Sequence, residues 1–184
     1  MGKPQDTPLS QEEFVEHALA EFERPLVAYA MGFVHDLERA RDVVQDTFIR
    51  LYQQDRSKVE RSLKAWLFTV CRNRALDVLR KEKRMVELSD ERLAGLESEA
   101  AGPGVRADWD ERVGQVMKAL ERLSENQREV IRLKFQQGLS YKEISALTGL
   151  TTGNVGFQLH AGLKRLRSLL PPDLLDNLNS NRPT

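Results

Sequence analysis

Cysteine is all but missing from this sequence: Cys71 stands alone among 184 residues. One thiol closes no internal disulfide and offers no metal-ligand spacing, which excludes a disulfide-stapled secreted scaffold and a Cys-based zinc site. No metal or cofactor site is expected. Long apolar runs are missing as well; the longest spans only a few residues, far short of the roughly 20 needed to cross a bilayer. Met1 to Ser10 is polar and has no secretory signal core. A soluble, cytoplasmic protein without a membrane partner is therefore expected. There is no excess charge of either sign, because Lys+Arg and Asp+Glu both number 28. Coating nucleic acid by net charge is thereby excluded, so any DNA contact must come from a local basic patch. Strand-like alternation is scarce, which argues against a β domain.

What is present has helical period, and 40% of the residues are apolar, enough for a core. The fold class expected is all-α. Ser10-Gln11-Glu12-Glu13 reads as a capping box, followed by Phe14, Ala18 and Phe22 at helical spacing. Pro25 is expected to kink this helix or start a new one, with Leu26, Tyr29, Ala30 and Phe33 continuing the apolar face. Asp36 caps a second helix whose stripe is Leu37, Ala40, Val44, Phe48 and Leu51. Gln53 to Arg61 is polar and without period, and reads as a loop. A long helix then runs from about Leu63 to Lys83, with Trp66, Leu67, Val70, Ala75, Leu76 and Leu79 on its apolar side.

The composition changes after that helix. Glu87 to Glu111 holds eight acidic and two basic residues around Gly102-Pro103-Gly104, the pattern of a flexible acidic linker. The organisation expected is a first domain over 10–86, a linker over 87–107, a second domain over 108–171 and a polar tail over 172–184. The second domain opens with Trp109, Val113, Val116, Met117 and Leu120, spaced as one buried helix face.

Three shorter helices follow. Ser124-Glu125-Asn126-Gln127 is a second capping box, opening a helix with Val130, Ile131 and Phe135 that ends at Gly138. Ser140-Tyr141-Lys142-Glu143 is a third, opening a helix with Ile144 and Leu147 that stops at Gly149. Thr151 or Thr152 caps a longer helix, with Val155, Leu159, Leu163, Leu166 and Leu170 inward. A helix, a short Gly-containing turn and a longer helix make a helix-turn-helix. Its second helix would enter the major groove with its N-terminal residues at base edges. The candidates there are Thr152, Asn154, Phe157, Gln158 and His160, with Lys164, Arg165 and Arg167 further along for phosphate. No acidic residue occurs from Thr152 to Pro172, so a polyanion can approach. The plain alternative is a helical hairpin with a solvated polar face.

A second basic patch lies on the long helix: Arg72, Arg74, Arg80, Lys81, Lys83 and Arg84, against Asp77 and Glu82. Trp66 and Phe68 precede it. Aromatics beside a basic helix suit strand-separated DNA, where bases stack and phosphates are tracked. The competing reading is that Trp66 is core and the basic end is a solvated face. Cys71 reads as a packed small residue.

Val43-Val44-Gln45-Asp46-Thr47-Phe48 and the stretch Ala65-Trp66-Leu67-Phe68-Thr69-Val70-Cys71-Arg72-Asn73-Arg74-Ala75-Leu76-Asp77-Val78-Leu79-Arg80 resemble region two of the sigma-70 family. Leu123-Ser124 through Leu170 resembles its region four. With only these two regions, the chain resembles the short extracytoplasmic-function group. The resemblance implies that region two binds the clamp helices of the largest subunit of core RNA polymerase and melts the minus-10 element. The polymerase-facing residues would be Arg39, Arg41, Asp42, Gln45 and Asp46. A specificity loop at Gln53 through Leu63 would act on the minus-10 strand with Trp66, Asn73, Arg74, Arg80, Lys81 and Arg84. Region four would bind the flap of the second-largest subunit and read the minus-35 element of promoter DNA as duplex. The acidic linker would thread toward the active-site and RNA-exit channels, and the protein would do no covalent chemistry.

The family usually has Asp-Ala-Glu-Asp before the Gln of region two, where this chain reads Arg39-Ala40-Arg41-Asp42. Phosphorylation adds about −1.5 to −2 charge and would offset such a deficit, with Thr47 and then Ser57 as candidates. Some members of the resembled group that lack the motif are linked to Ser/Thr kinases, so the resemblance implies a kinase or an anti-sigma factor as a partner. The recognition helix also departs from the family, with Gly156-Phe157-Gln158 and Ala161-Gly162-Leu163 where Lys or Arg is usual; each glycine costs about 1 kcal/mol of helix propensity.

Two other function classes compete. A stand-alone helix-turn-helix regulator would leave the block Trp66 to Arg84 without a purpose. A metal-dependent nuclease would use Asp36, Glu38, Asp42 and Asp46, but these acids lie beside Arg39 and Arg41 with no His cluster. Intrahelical pairs of Glu38 with Arg41 and Arg39 with Asp42 explain them better.

Overall fold

The computed structural model describes residues 10–88 and 107–171, with side chains described for 10–85 and 114–171. The chain divides into two units between Ser98 and Glu99. That division, nearly all of the acidic linker and the polar tail lie outside the described residues. Among the described residues every regular element is helical.

The first unit opens with α1, Gln11–Val34. The expected capping box starts it: Ser10 N–H donates to Glu13 Oε2 at 2.7 Å, and Glu13 N–H to Ser10 Oγ at 3.2 Å. Pro25 lies inside α1 without ending it. His35 closes the helix in a left-handed conformation, and Asp36 caps α2, Leu37–Gln53, by accepting from Arg39 N–H at 2.8 Å. A two-residue connection makes α1 and α2 an antiparallel hairpin, so the start of α1 lies beside the end of α2. The stretch expected to be loop instead holds α3, Arg56–Val59, and a 3-10 turn, Glu60–Ser62. Its polar sequence hides a local cap: the Asp55 side chain accepts from Ser57 N–H at 3.0 Å. The helix α4, Leu63–Leu88, packs against both α1 and α2. Leu26, Val43, Leu51, Leu67, Phe68 and Cys71 are almost wholly inaccessible in this three-helix core. Phe68 therefore belongs to the core and is not an aromatic available to DNA. Its ring meets Tyr29 edge-on at 5.1 Å, a favoured aromatic arrangement.

The second unit is built from α5, Ala107–Glu121; α6, Glu125–Ile131; α7, Tyr141–Thr148; and α8, Thr152–Leu169. Both expected capping boxes, at Ser124 and Ser140, are formed. Two expectations about the apolar faces need correction. On α5 Leu120 is buried, but Met117 is 44% exposed; the side chains of Trp109 and Val113 lie outside the described ones. After α6 a π turn, Arg132–Gln136, widens the helix. The wider turn shifts the register, so Leu133 enters the core and Phe135 is 62% exposed. Val130, Ile131, Leu133, Leu139, Ile144, Leu147, Val155 and Leu159 form the core of this unit. Leu163, Leu166 and Leu170, expected inward, are half-buried. Gly162 is the buried member of that stripe, because a Cβ there would stand 2.8 Å from Ile131 Cδ1 and 3.2 Å from Gln127 Cβ. Its absent side chain lets α6 and α8 approach, a role the reading by helix propensity missed.

Candidate nucleic-acid and polymerase interfaces

In the first unit α2 exposes Arg39, Arg41, Asp42 and Gln45, with Arg39 on the side of α4 and Arg41 on the side of α1. The arginines are not bare charges. Arg41 Nη1 meets Glu38 Oε1 at 2.7 Å as expected, whereas Arg39 pairs with Glu82 on α4 and not with Asp42. Asp46 is tied to Arg74, whose Nε donates to Asp46 Oδ2 at 2.6 Å. Arg74 thus bridges α2 and α4 and is not a free DNA-facing cation. Three of the four acids weighed as metal ligands carry such duties: Asp36 caps, and Glu38 and Asp46 pair. A groove of about 460 Å³ runs between α1 and α2, lined by Leu19, Val27, Arg41, Gln45, Ile49 and Tyr52 among others. Leu19, Ile49 and Tyr52 are each more than two-fifths exposed, an apolar surface that stands out on a small unit.

The two hydroxyls considered for phosphorylation separate cleanly. Thr47 is fully buried, and its Oγ1 donates to Val43 O at 2.8 Å within α2. No kinase reaches it without opening the core, so Thr47 is not a phosphorylation site of the folded protein. Ser57 is exposed, and its Oγ donates to Asp55 Oδ1 at 2.8 Å. That bond and the one from Ser57 N–H hold the Asp55 carboxyl below the usual carboxylate range. Cys71 is inert: burial pushes its thiol up to about 12, so thiolate is scarce at neutral pH.

Trp66 is half-buried and is neither fully core nor free. It lines a polar pocket of about 510 Å³ with Arg50, Gln53, Gln54 and Val70. Sequence reasoning missed Arg50; Gln53 was caught only as the start of the loop. Beyond the pocket α4 exposes Asn73, Arg80, Lys81 and Arg84, with Arg80 Nη1 3.0 Å from Asp77 Oδ1.

In the second unit the turn between α7 and α8 is tightly built. Gly149 adopts φ +77, Ser145 Oγ donates to Leu150 O at 2.6 Å, and Leu150 N–H donates to Thr148 Oγ1 at 3.3 Å. Thr151, not Thr152, is the cap of α8, accepting from Asn154 N–H at 3.2 Å. Val155, Leu159 and Gly162 are buried on one side of α8. The other side shows Thr152, Asn154, Phe157, His160, Lys164, Arg165 and Arg167 to solvent. Phe157 is 66% exposed, and Gln158 Nε2 donates to Asn154 Oδ1 at 3.3 Å. An aromatic ring held in water beside two amides, on a face without acid, is the arrangement that suits base edges and thymine methyls.

Residues 19–85 match the sigma-70 region 2 family and residues 114–166 match sigma-70, region 4. The chain is 30% identical over 142 residues to the ECF RNA polymerase sigma factor SigM of Bacillus subtilis, covering 77% of this chain and 85% of that one. It is 31% identical over 149 residues to EcfG of Rhodopseudomonas palustris, covering 80% of each. The chain belongs to the ECF sigma factors. Its fold is similar to that of the sigma factor RpoE from Bartonella quintana, solved in complex with the anti-sigma factor NepR. The TM-score is 0.66 at 32% identity, with 86% of this chain and 97% of that one covered. As an ECF sigma factor it is a non-enzymatic regulator that directs RNA polymerase to promoters. No helix among its described residues is long and apolar enough to cross a membrane.

Proposed function

We propose that this sigma factor holds core polymerase with the outer face of α2, reads the melted minus-10 strand at the Trp66 pocket and along α4, and reads the duplex minus-35 element with α8. The acid-free outward face of α8, with Phe157 in solvent beside Asn154 and Gln158, carries this reading. The apolar groove beside Gln45 supports a protein partner at α2, namely the polymerase clamp helices; an anti-sigma factor would compete there. The flap of the second-largest subunit falls to the second unit. An unstacked base fits between Trp66 and the polar ends of Gln53, Gln54 and Arg50, stacking on the indole and pairing with an amide. Asn73, Arg80, Lys81 and Arg84 then follow the phosphates, with Arg74 positioning α4 through Asp46.

The test is dependence on polymerase. The full-length protein alone should bind promoter duplex weakly, and with core polymerase it should co-elute and start transcription at defined sites. Nanomolar binding to one duplex without polymerase would instead establish a stand-alone regulator. Base reading has its own test. Gln158→Ala should change the preferred minus-35 sequence by about 1–3 kcal/mol at one position, read by selection from a randomised minus-35 library. Lys164→Ala should weaken all sequences alike. Equal, sequence-independent losses would remove Gln158 from the base-reading set.

Control by a Ser/Thr kinase, on this reading, acts at Ser57. A phosphate there would stand beside the Asp55 carboxylate and repel it, loosening the cap of α3. It would not offset Arg39 and Arg41, because these lie near the opposite end of α2, roughly 20 Å away at 1.5 Å per residue, beyond the screening length of about 8 Å. Those arginines already have Glu82 and Glu38. The expected result is that the Ser57 phospho-form and the Arg39→Asp, Arg41→Glu double variant differ. The phospho-form should alter promoter opening at unchanged affinity for core polymerase, and the double variant should alter that affinity. A phospho-form that binds core polymerase much more tightly would restore the charge-deficit explanation.

A further inference from the structure

The helix α2 ends without a glycine cap. Gln54, the residue after it, is extended, and only its own N–H turns back, to Leu51 O at 3.1 Å. The last carbonyls of a helix need partners from elsewhere, and here they come from the other end of the hairpin. Gln11, the first residue of α1, aims its side-chain amide at two of them and at the carbonyl just beyond: Nε2 lies 3.2 Å from Leu51 O, 3.1 Å from Tyr52 O and 3.2 Å from Gln54 O. A second tie lies close by. The Arg56 guanidinium of α3 sits 5.0 Å from the centre of the Phe14 ring, also in the first turns of α1, and pairs with Glu60 at 2.6 Å. Phe14 is only 6% exposed, so its ring is a fixed platform. The residues bracketed by these two ties, Gln53 and Gln54, are those that line the Trp66 pocket.

We propose that the first turns of α1 position the minus-10 reading pocket, with Gln11 holding the carbonyls of Leu51, Tyr52 and Gln54 on either side of Gln53 and Phe14 holding Arg56. The proposal rests on the assignment of that pocket to a minus-10 base. Gln11 and Phe14 are positioning residues here: they touch no DNA and act through the loop. Losing one network of hydrogen bonds of this kind should relax minus-10 selectivity by about three- to tenfold. A merely structural role would lower the yield on every promoter equally.

The test uses full-length protein with core polymerase on a template library randomised at the minus-10 element, reading the enrichment ratio at each position. Gln11→Ala should flatten the ratio at one or two positions, with affinity for core polymerase within about twofold of the parent, since the α2 face is untouched. Gln11→Lys, whose ammonium also donates to helix-end carbonyls, should keep the selectivity. Phe14→Leu, which keeps the core apolar, should flatten the same positions. Gln53→Ala serves as the pocket control. If Gln53→Ala changes selectivity and Gln11→Ala and Phe14→Leu do not, the positioning role is overturned while the pocket stands. If Gln53→Ala and Trp66→Ala both leave selectivity unchanged, the pocket assignment itself falls, and the positioning role falls with it.

Discussion

Phe68→Ala should destabilise the first unit by about 3–5 kcal/mol, the usual cost of emptying a large aromatic site. The ring is fully inaccessible and packed on Tyr29, which in turn meets Phe33 at 5.2 Å. No neighbour is free to fill the space, because Leu26, Leu67 and Cys71 around the core are themselves close to fully buried. Trp66→Ala, two residues earlier, should behave in the opposite way. Its side chain is half-buried at the pocket rim, so the stability loss should be nearer 1 kcal/mol, while promoter opening is lost. Native-state hydrogen exchange of amides in 14–80 reports this unit by itself, and open-complex formation reports function. A Phe68→Ala protein with unchanged exchange and failed opening would return Phe68 to the DNA-facing surface.

The second large effect is expected at Gly162. Gly162→Val must push Ile131 and Gln127 aside, and the Gln127 contact is to a Cβ that cannot swing away. Overpacking of this kind costs about 1–3 kcal/mol, in a small unit whose core depends on α6 against α8. Duplex minus-35 recognition should fall with it, because the frame that presents Phe157 and Gln158 loosens. Gly156→Ala is the contrasting change. A Cβ there would meet only Tyr141 Cε2, at an ordinary 3.5 Å, so the gain in helix propensity of about 0.5–1 kcal/mol should appear as added stability. Thermal unfolding with exchange of amides in 114–170 checks both. A Gly162→Val protein as stable as the parent would mean that α6 and α8 do not meet at Gly162.

Much of this was legible along the chain. Capping boxes at Ser10, Ser124 and Ser140 join residues three apart, and the apolar stripes repeat within a few residues. Helix starts, the all-α class and the helix-turn-helix therefore follow from sequence: the interactions that decide them are local, and helical period writes them into neighbouring positions. The same locality let Glu38 and Arg41 be paired in advance. The π turn at Arg132–Gln136 marks the limit even of local reading, since one widened turn moved Phe135 from the expected core to solvent.

The partners that define the site are far apart in sequence. Arg39 reaches Glu82, Arg74 reaches Asp46, and Gln11 reaches Gln54 across 43 residues. Thr47 ranks ahead of Ser57 for its place on the helix of Arg39 and Arg41, but the packing of α2 buries it completely. Gly162 looked like a weak point in a helix until Ile131 was found against it. Sequence alone determined the long helices and most of their apolar faces, because backbone capping and burial by stripe act over one or two turns; the short α3 and the outward turn of Phe135 were the exceptions. Only the tertiary structure decided which charges are already neutralised, which hydroxyl can be reached and which side chains line the pocket. Those outcomes depend on where one helix lands on another, and no spacing within a single helix encodes that.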